Sequence, residues 1–241
     1  MIADTASQRR VYAEGDPEMP GEFRQLLIRM LVHHIENSRS PWYINLLNRL
    51  WERCMTLAPD DRTRTAFARL MQQEVEHGAI TARVLEGLGV DYVEQPRGQY
   101  LFDLPIETFC DLAYFHALGD RVGMYIGEEW EGIPYEPLLR YADRLHKDEV
   151  FHCTLGMRNL RRVCSTPEGR EEASKLINKW WPAVLDMFGR SDSRASEAYV
   201  RLGLRKRDNE GLRQQYIADT RPLLEAIGVH APHDHANRRY L

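Results

Sequence analysis

The sequence predicts an all-α protein, a four-helix bundle of two helical hairpins with additional C-terminal helices. Three observations lead there. Apolar residues recur at intervals of three and four through most of the 241 residues, the period of amphipathic helices. No βαβ pattern and no Gly-rich phosphate loop appears. One device also occurs twice, as Glu74-Val75-Glu76-His77 and Glu149-Val150-Phe151-His152, each time on the second helix of a helix–turn–helix unit.

The elements follow in order. Residues 1–18 are polar and of mixed charge, and are expected as a flexible N-terminal arm. The bundle is expected over 19–164. Its first helix opens near Pro20 and carries Phe23, Leu26, Leu27, Met30, Leu31, His34 and Ile35 at helical spacing. The run Ser38-Arg39-Ser40-Pro41 interrupts it. Ser40 suits an N-cap, and Pro41 suits the first helical position, where a missing N–H is no loss. This helix passes Trp42, Leu46, Leu47, Leu50 and Trp51 and ends about Leu57. Ala58-Pro59-Asp60-Asp61 turns the chain, and its acids favour the positive end of the next helix. That helix carries the first motif and ends around Gly87 and Gly89.

Residues 88–104, with Pro96 and Gly98, are expected to cross between the hairpins. A third helix is expected from Pro105 to Glu131, a turn over 132–137, and a fourth helix with the second motif up to Cys164. Ser165-Thr166-Pro167 opens a fifth helix, which Pro182 should kink or end. Two shorter helices follow around 192–203 and 208–227. Residues 165–229 thus form a C-terminal helical extension packed on the bundle, and 230–241 a polar tail with His230, His233 and His235.

Composition narrows the function. Hydrophobic residues make up 43% and charged residues 28%, an ordinary soluble balance. A net charge of −4 argues against a nucleic-acid binder. Four cysteines without a Cys-x-x-Cys pair fit a reduced cytoplasmic protein with neither zinc site nor disulfide framework. No signal peptide is expected, and no apolar run reaches the ~18 residues of a membrane span.

The repeated motif carries the chemistry. Residues three apart on a helix stand on one face, one turn above the other. Glu-x-x-His therefore aims a carboxylate and an imidazole at one point, and no other histidine here has a glutamate three residues before it. Hard oxygen donors with imidazole suit iron or manganese. Ferritin-like dimetal bundles take Glu-x-x-His from two helices and a lone carboxylate from each of the other two. Hairpin register selects these carboxylates. Asp120 and Glu149 lie 14 and 15 residues either side of Pro134, hence at one level. Glu128 and Glu129 lie too near the turn and are expected to cap or solvate the helix end. Opposite Glu74 the level falls near position 44, and positions 43 to 48 hold no acid. The choice is between Glu36 and Glu52, and Glu36 is preferred if the break before Pro41 folds the chain back. Asp148 is placed to accept a hydrogen bond from a ligating histidine of the other hairpin, and His146 is a further candidate for this supporting layer.

Beyond the motifs, the chain resembles the catalytic, A-type subunit family of bacterial phenylacetyl-CoA epoxidases, ferritin-like di-iron proteins. The resemblance runs from Met19-Pro20, Phe23-Arg24 and Leu27-Ile28-Arg29 through Ala58-Pro59, Glu74-x-x-His77-Gly78, Asp120 and Glu149-x-Phe151-His152. It continues through Asn178, Trp180-Trp181-Pro182-Ala183, Met187-Phe188-Gly189, Leu212-Arg213-Gln214 and Ile227-Gly228. The tryptophan–proline stretch is its most specific part, because bundle geometry alone does not require it. The resemblance implies two iron ions held by Glu74, His77, Asp120, Glu149 and His152, and dioxygen activation. It also implies electrons from a separate iron–sulfur flavin reductase and a related, inert partner subunit. The expected function is a non-haem di-iron monooxygenase that epoxidises or hydroxylates an aromatic acyl-CoA or related small molecule, with no catalytic residue beyond the metal ligands. Two other readings are an iron-binding or oxidant-scavenging protein and a non-catalytic structural subunit, and the chain is expected to form homo- or hetero-oligomers.

Overall fold

The computed structural model describes residues 10–33, 38–90 and 99–240. Among these the architecture is all-helical, as expected. The helices are α1 (Gly21–His33), α2 (Pro41–Leu57), α3 (Asp61–Gly87), α4 (Phe109–Tyr114), α5 (Asp120–Trp130), α6 (Glu136–Val163), α7 (Pro167–Asp186), α8 (Arg194–Arg201) and α9 (Asn209–Glu225). Helix α2 pairs with α3, the α4–α5 unit with α6, and α3 with α6.

Local chemistry sets the boundaries. Ser40 caps α2 by accepting from Tyr43 N, with Pro41 in the first turn. Asp60 caps α3 by accepting from Thr63 N at 2.8 Å. Thr166 caps α7 ahead of Pro167. The third bundle helix differs from expectation. It starts at Phe109 and not at Pro105, because Thr108 and Asp111 form a capping box that fixes its first turn. It is also not one α-helix. Residues Phe115–Gly119 form a π-helical turn joining α4 to α5. Helix α7 runs through Pro182 to Asp186 and does not end there. Trp180, Trp181, Ala183, Val184 and Leu185 around the proline are all buried, and that packing overrides the lost backbone bond.

Glycines bring α5 and α6 together. A β-carbon at Gly127 would stand 2.9 Å from the backbone of His146. One at Gly156 would collide with the backbone of His116 and Ala117 in the π turn. Gly127 therefore lets α5 approach α6, and Gly156 lets α6 approach the π turn. The core divides into two clusters. One is built around Phe67, Tyr114, Trp180, Trp181 and Tyr216, the other around Phe23, Leu27, Leu85, Trp130 and Tyr135. The first and last described stretches both pack back on the helices. Tyr12, in the stretch expected as an arm, donates its N–H to Pro134 O at 3.1 Å. At the other end, Asp186 accepts from Arg238 Nε at 3.0 Å and Arg239 N at 2.7 Å.

Candidate metal centre

Both Glu-x-x-His motifs point inward from α3 and α6. Their side chains, with Asp120 at the start of α5, form two overlapping groups, Glu74–His77–Glu149 and Glu74–Asp120–His152. Within each group one ligand atom per residue lies within 4.8 Å of the others. Glu74 belongs to both. Glu149 also reaches both imidazoles, with Oε1 3.5 Å from His77 Nδ1 and Oε2 3.7 Å from His152 Nδ1. His152 Nδ1 lies 3.2 Å from Glu74 Oε1. The two rings stand with centroids 5.8 Å apart. His77, His152 and Glu149 are buried.

The outer ring nitrogens are held from behind. His77 Nε2 donates to Asp148 Oδ2 at 3.3 Å, so Asp148 stands against a histidine of the other hairpin. His152 Nε2 donates to Gln73 Oε1 at 3.1 Å, and the Gln73 amide donates to Asp148. One glutamine thus ties α3 to α6 behind both rings. A ring that gives its hydrogen from Nε2 keeps its lone pair on Nδ1. The Nδ1 of His152 is buried and makes no hydrogen bond. Two Nδ1 lone pairs facing three carboxylates form the donor set of a dimetal carboxylate site, and the residues fit that group.

Asp120 is held by a residue the sequence reading missed. His116 Nδ1 donates to Asp120 Oδ2 at 2.7 Å, and its Nε2 lies 3.6 Å from Cys54 Sγ. Burial opposes a charge on His116, yet Asp120 outweighs it and raises the imidazole pKa to about 10. The signal was the spacing of four residues, which puts His116 and Asp120 on one helix face. Tyr43 was missed as well, though register pointed to its level. Its hydroxyl donates to Glu74 O at 2.7 Å and lies 3.5 Å from Glu74 Oε2. Burial drives the Glu149 carboxyl upward, but the adjacent His152 and His77 imidazoles prevail and hold its pKa at about 2. Gly123 makes room for that carboxylate, since a β-carbon there would stand 2.6 Å from Glu149 Oε2.

Other candidates fall elsewhere. His146 turns its Nδ1 to Met124 O at 3.1 Å, away from the cluster. Glu52 is exposed on α2. Glu36, the preferred first-helix carboxylate, lies outside the described residues. Glu128 pairs with Arg207 at 2.9 Å. Glu129 is buried and accepts from Arg207 N and Nε, both at 2.8 Å. It was expected only to cap or solvate the helix end, but here it anchors the segment after α8. Among the described residues neither potential metal group includes His230, His233 or His235. No helix among them is long and apolar enough to cross a membrane.

A cavity of about 280 Å³ opens against this cluster. Glu74, Asp120 and Glu149 line one part of it, and Leu46, Leu50, Phe115, Val122 and Ile126 line apolar walls.

Comparison with known proteins agrees with this geometry. The chain is 25% identical over 227 residues to the A-type subunit of the 1,2-phenylacetyl-CoA epoxidase of Escherichia coli (strain K12), covering 89% of this chain and 71% of that one. The family model described as phenylacetic acid catabolic protein matches residues 13–240, nearly the whole chain. With that match, and with both Glu-x-x-His motifs turned onto one buried cluster, the chain belongs to the phenylacetic acid catabolic protein family.

Proposed function

We propose that this chain is the oxygen-activating subunit of a non-haem di-iron monooxygenase acting on an aromatic acyl thioester or related small molecule. One observation carries the reading: two ligand groups sharing Glu74, each with one imidazole Nδ1, face an apolar cavity. An iron store has no use for a cavity beside its metals, whereas an oxygenase must seat an organic substrate there.

In this reading Glu74, His77 and Glu149 hold one iron, and Glu74, Asp120 and His152 hold the other. Glu36 is the proposed sixth ligand. In its support, Ser38 N donates to Gly78 O at 3.1 Å, which brings the chain just beyond Glu36 back beside His77. Carboxylate-rich ligation with imidazole suits iron, and manganese fits the same donors. When bound, the metal pair supplies the Lewis acidity and electrons for dioxygen reduction. The chain's own groups do the rest. Gln73 and Asp148 hold the imidazoles in one tautomer, and His116 fixes the Asp120 carboxylate. Leu46, Phe115 and Ile126 seat the apolar part of the substrate and exclude water. By the likeness to one component of a multi-component epoxidase, we further propose that the chain works with other subunits and a separate reductase.

The test is metal analysis after anaerobic Fe(II) loading, followed by reductant-driven O₂ consumption with phenylacetyl-CoA. Two irons per chain and substrate-dependent O₂ uptake are the expected results. A chain that takes up no Fe(II) would overturn the reading.

A further inference from the structure

The cavity extends well past the carboxylate cluster. It follows α5 from Asp120 by Gly123 and Ile126 to Trp130, and beyond them it is lined by Arg205, Asn209 and Ser196. The segment holding Arg205 is pinned at the far end of α5, where Lys206 N and Arg207 N donate to Glu129. Glu129 lies nine residues after Asp120, so Arg205 stands about 13 Å along the helix axis from the cluster.

Arg205, half-buried in the cavity wall, differs from Arg207 and the buried Arg213. Arg213 spends its guanidinium on Leu185 O, Gly189 O and Glu210. Arg207 is taken up by Glu128 and Glu129. Arg205 makes one side-chain hydrogen bond, from Nη1 to Asn209 Oδ1 at 3.0 Å, and lies over the Tyr199 ring at 5.0 Å. Its Nε is buried without a hydrogen bond, and no carboxylate pairs with it among the described residues. Glu129, the carboxylate pinned nearby, is already taken by Arg207. The Arg205 Nε is thus a buried donor without an acceptor, which a ligand oxygen in the cavity can supply. Five donors in a plane suit a carboxylate or carbonyl oxygen.

We propose that Arg205, steadied by Asn209 and Tyr199, binds an oxygen acceptor in the tail of an elongated substrate whose apolar head faces Glu74 and Glu149. The acceptor is a free carboxylate or an amide carbonyl. The orientation of the head rests on the oxygenase reading, but the tail site does not need it. Allowing for the reach of the arginine and of the metal pair, acceptor and reacting carbon lie about 8–10 Å apart, shorter than the axial span.

The test is binding to the metal-loaded full chain, read by calorimetry. Three probes share an aromatic head: 4-phenylbutyrate carries a carboxylate, S-phenylacetyl-pantetheine carries amide carbonyls, and ethylbenzene carries no acceptor. In the wild type at least one acceptor probe should bind more tightly than ethylbenzene, and the tighter of the two identifies the source of the oxygen. Arg205→Gln should weaken that probe by about tenfold or more and leave ethylbenzene unchanged. Asn209→Asp, which puts a carboxylate against the same guanidinium, should do the same and decides the matter if Arg205→Gln does not fold. Equal affinity of wild type for all three probes would overturn the site, as would equal losses for all three in both variants. Tail-dependent binding without O₂-dependent turnover would count against the oxygenase reading and leave this site standing.

Discussion

His152 gives its outer ring nitrogen to Gln73, Nε2 donating to Oε1 at 3.1 Å, while the amide of the same glutamine holds Asp148. The bond fixes which nitrogen of His152 faces the carboxylates. Gln73→Leu removes it and keeps the side chain's bulk. Metal affinity should fall by about 10- to 100-fold, with helix content by circular dichroism unchanged. A competition titration against a chelator measures this. Unaltered affinity would reduce Gln73 to a packing role.

Gly123 and Gly127 separate metal binding from stability. A methyl group at Gly123 meets the Glu149 carboxylate at its movable end. Gly123→Ala should therefore lower metal occupancy more than it lowers the melting temperature. At Gly127 the methyl group meets the His146 backbone, which cannot turn aside. Gly127→Ala should cost about 1–3 kcal/mol in denaturant unfolding and leave the metal stoichiometry of the folded fraction unchanged. The reverse pattern would mean that α5 and α6 shift as rigid bodies.

Asp120 and Glu128 test the hairpin register. Asp120→Asn replaces an anionic donor with a neutral amide, and iron binding should weaken. Glu128 is engaged with Arg207 at the far end of α5. Glu128→Gln should leave iron content as it is. Metal loss in the second variant but not the first would reassign the carboxylate.

Metal uptake should depend on pH. In the metal-free chain burial opposes protonation of His152, but Glu149 and Glu74 outweigh it and raise its pKa well above the ordinary imidazole value. The proton must leave before Nδ1 can bind a metal, whereas Glu149, held at about 2, is already anionic. Apparent affinity should rise between about pH 6 and about pH 8, with release of protons on binding. Co(II) titrations in weakly buffered solution would show both, and a flat profile would place the metal away from His152.

The sequence by itself determined the helical class, the main helix starts and the five proposed ligands, whose side chains come together here. Those features are local or periodic. Ser40, Asp60 and Thr166 cap with their own side chains, and Glu-x-x-His needs only the helical repeat to aim two donors at one point. Counting residues from Pro134 placed Asp120 opposite Glu149 because antiparallel helices rise equally per residue. Tertiary structure alone decided what stands behind the proposed ligands. Gln73 reaches His152 only once α3 lies against α6. Glu129 becomes an anchor only because the segment after α8 returns to it. The π turn over Phe115–Gly119 and the passage of α7 through Pro182 go against local preference, and packing holds both. No spacing in the sequence could show that Arg205 comes to line the cavity seen by Glu74, since their meeting depends on contacts between residues far apart in the chain.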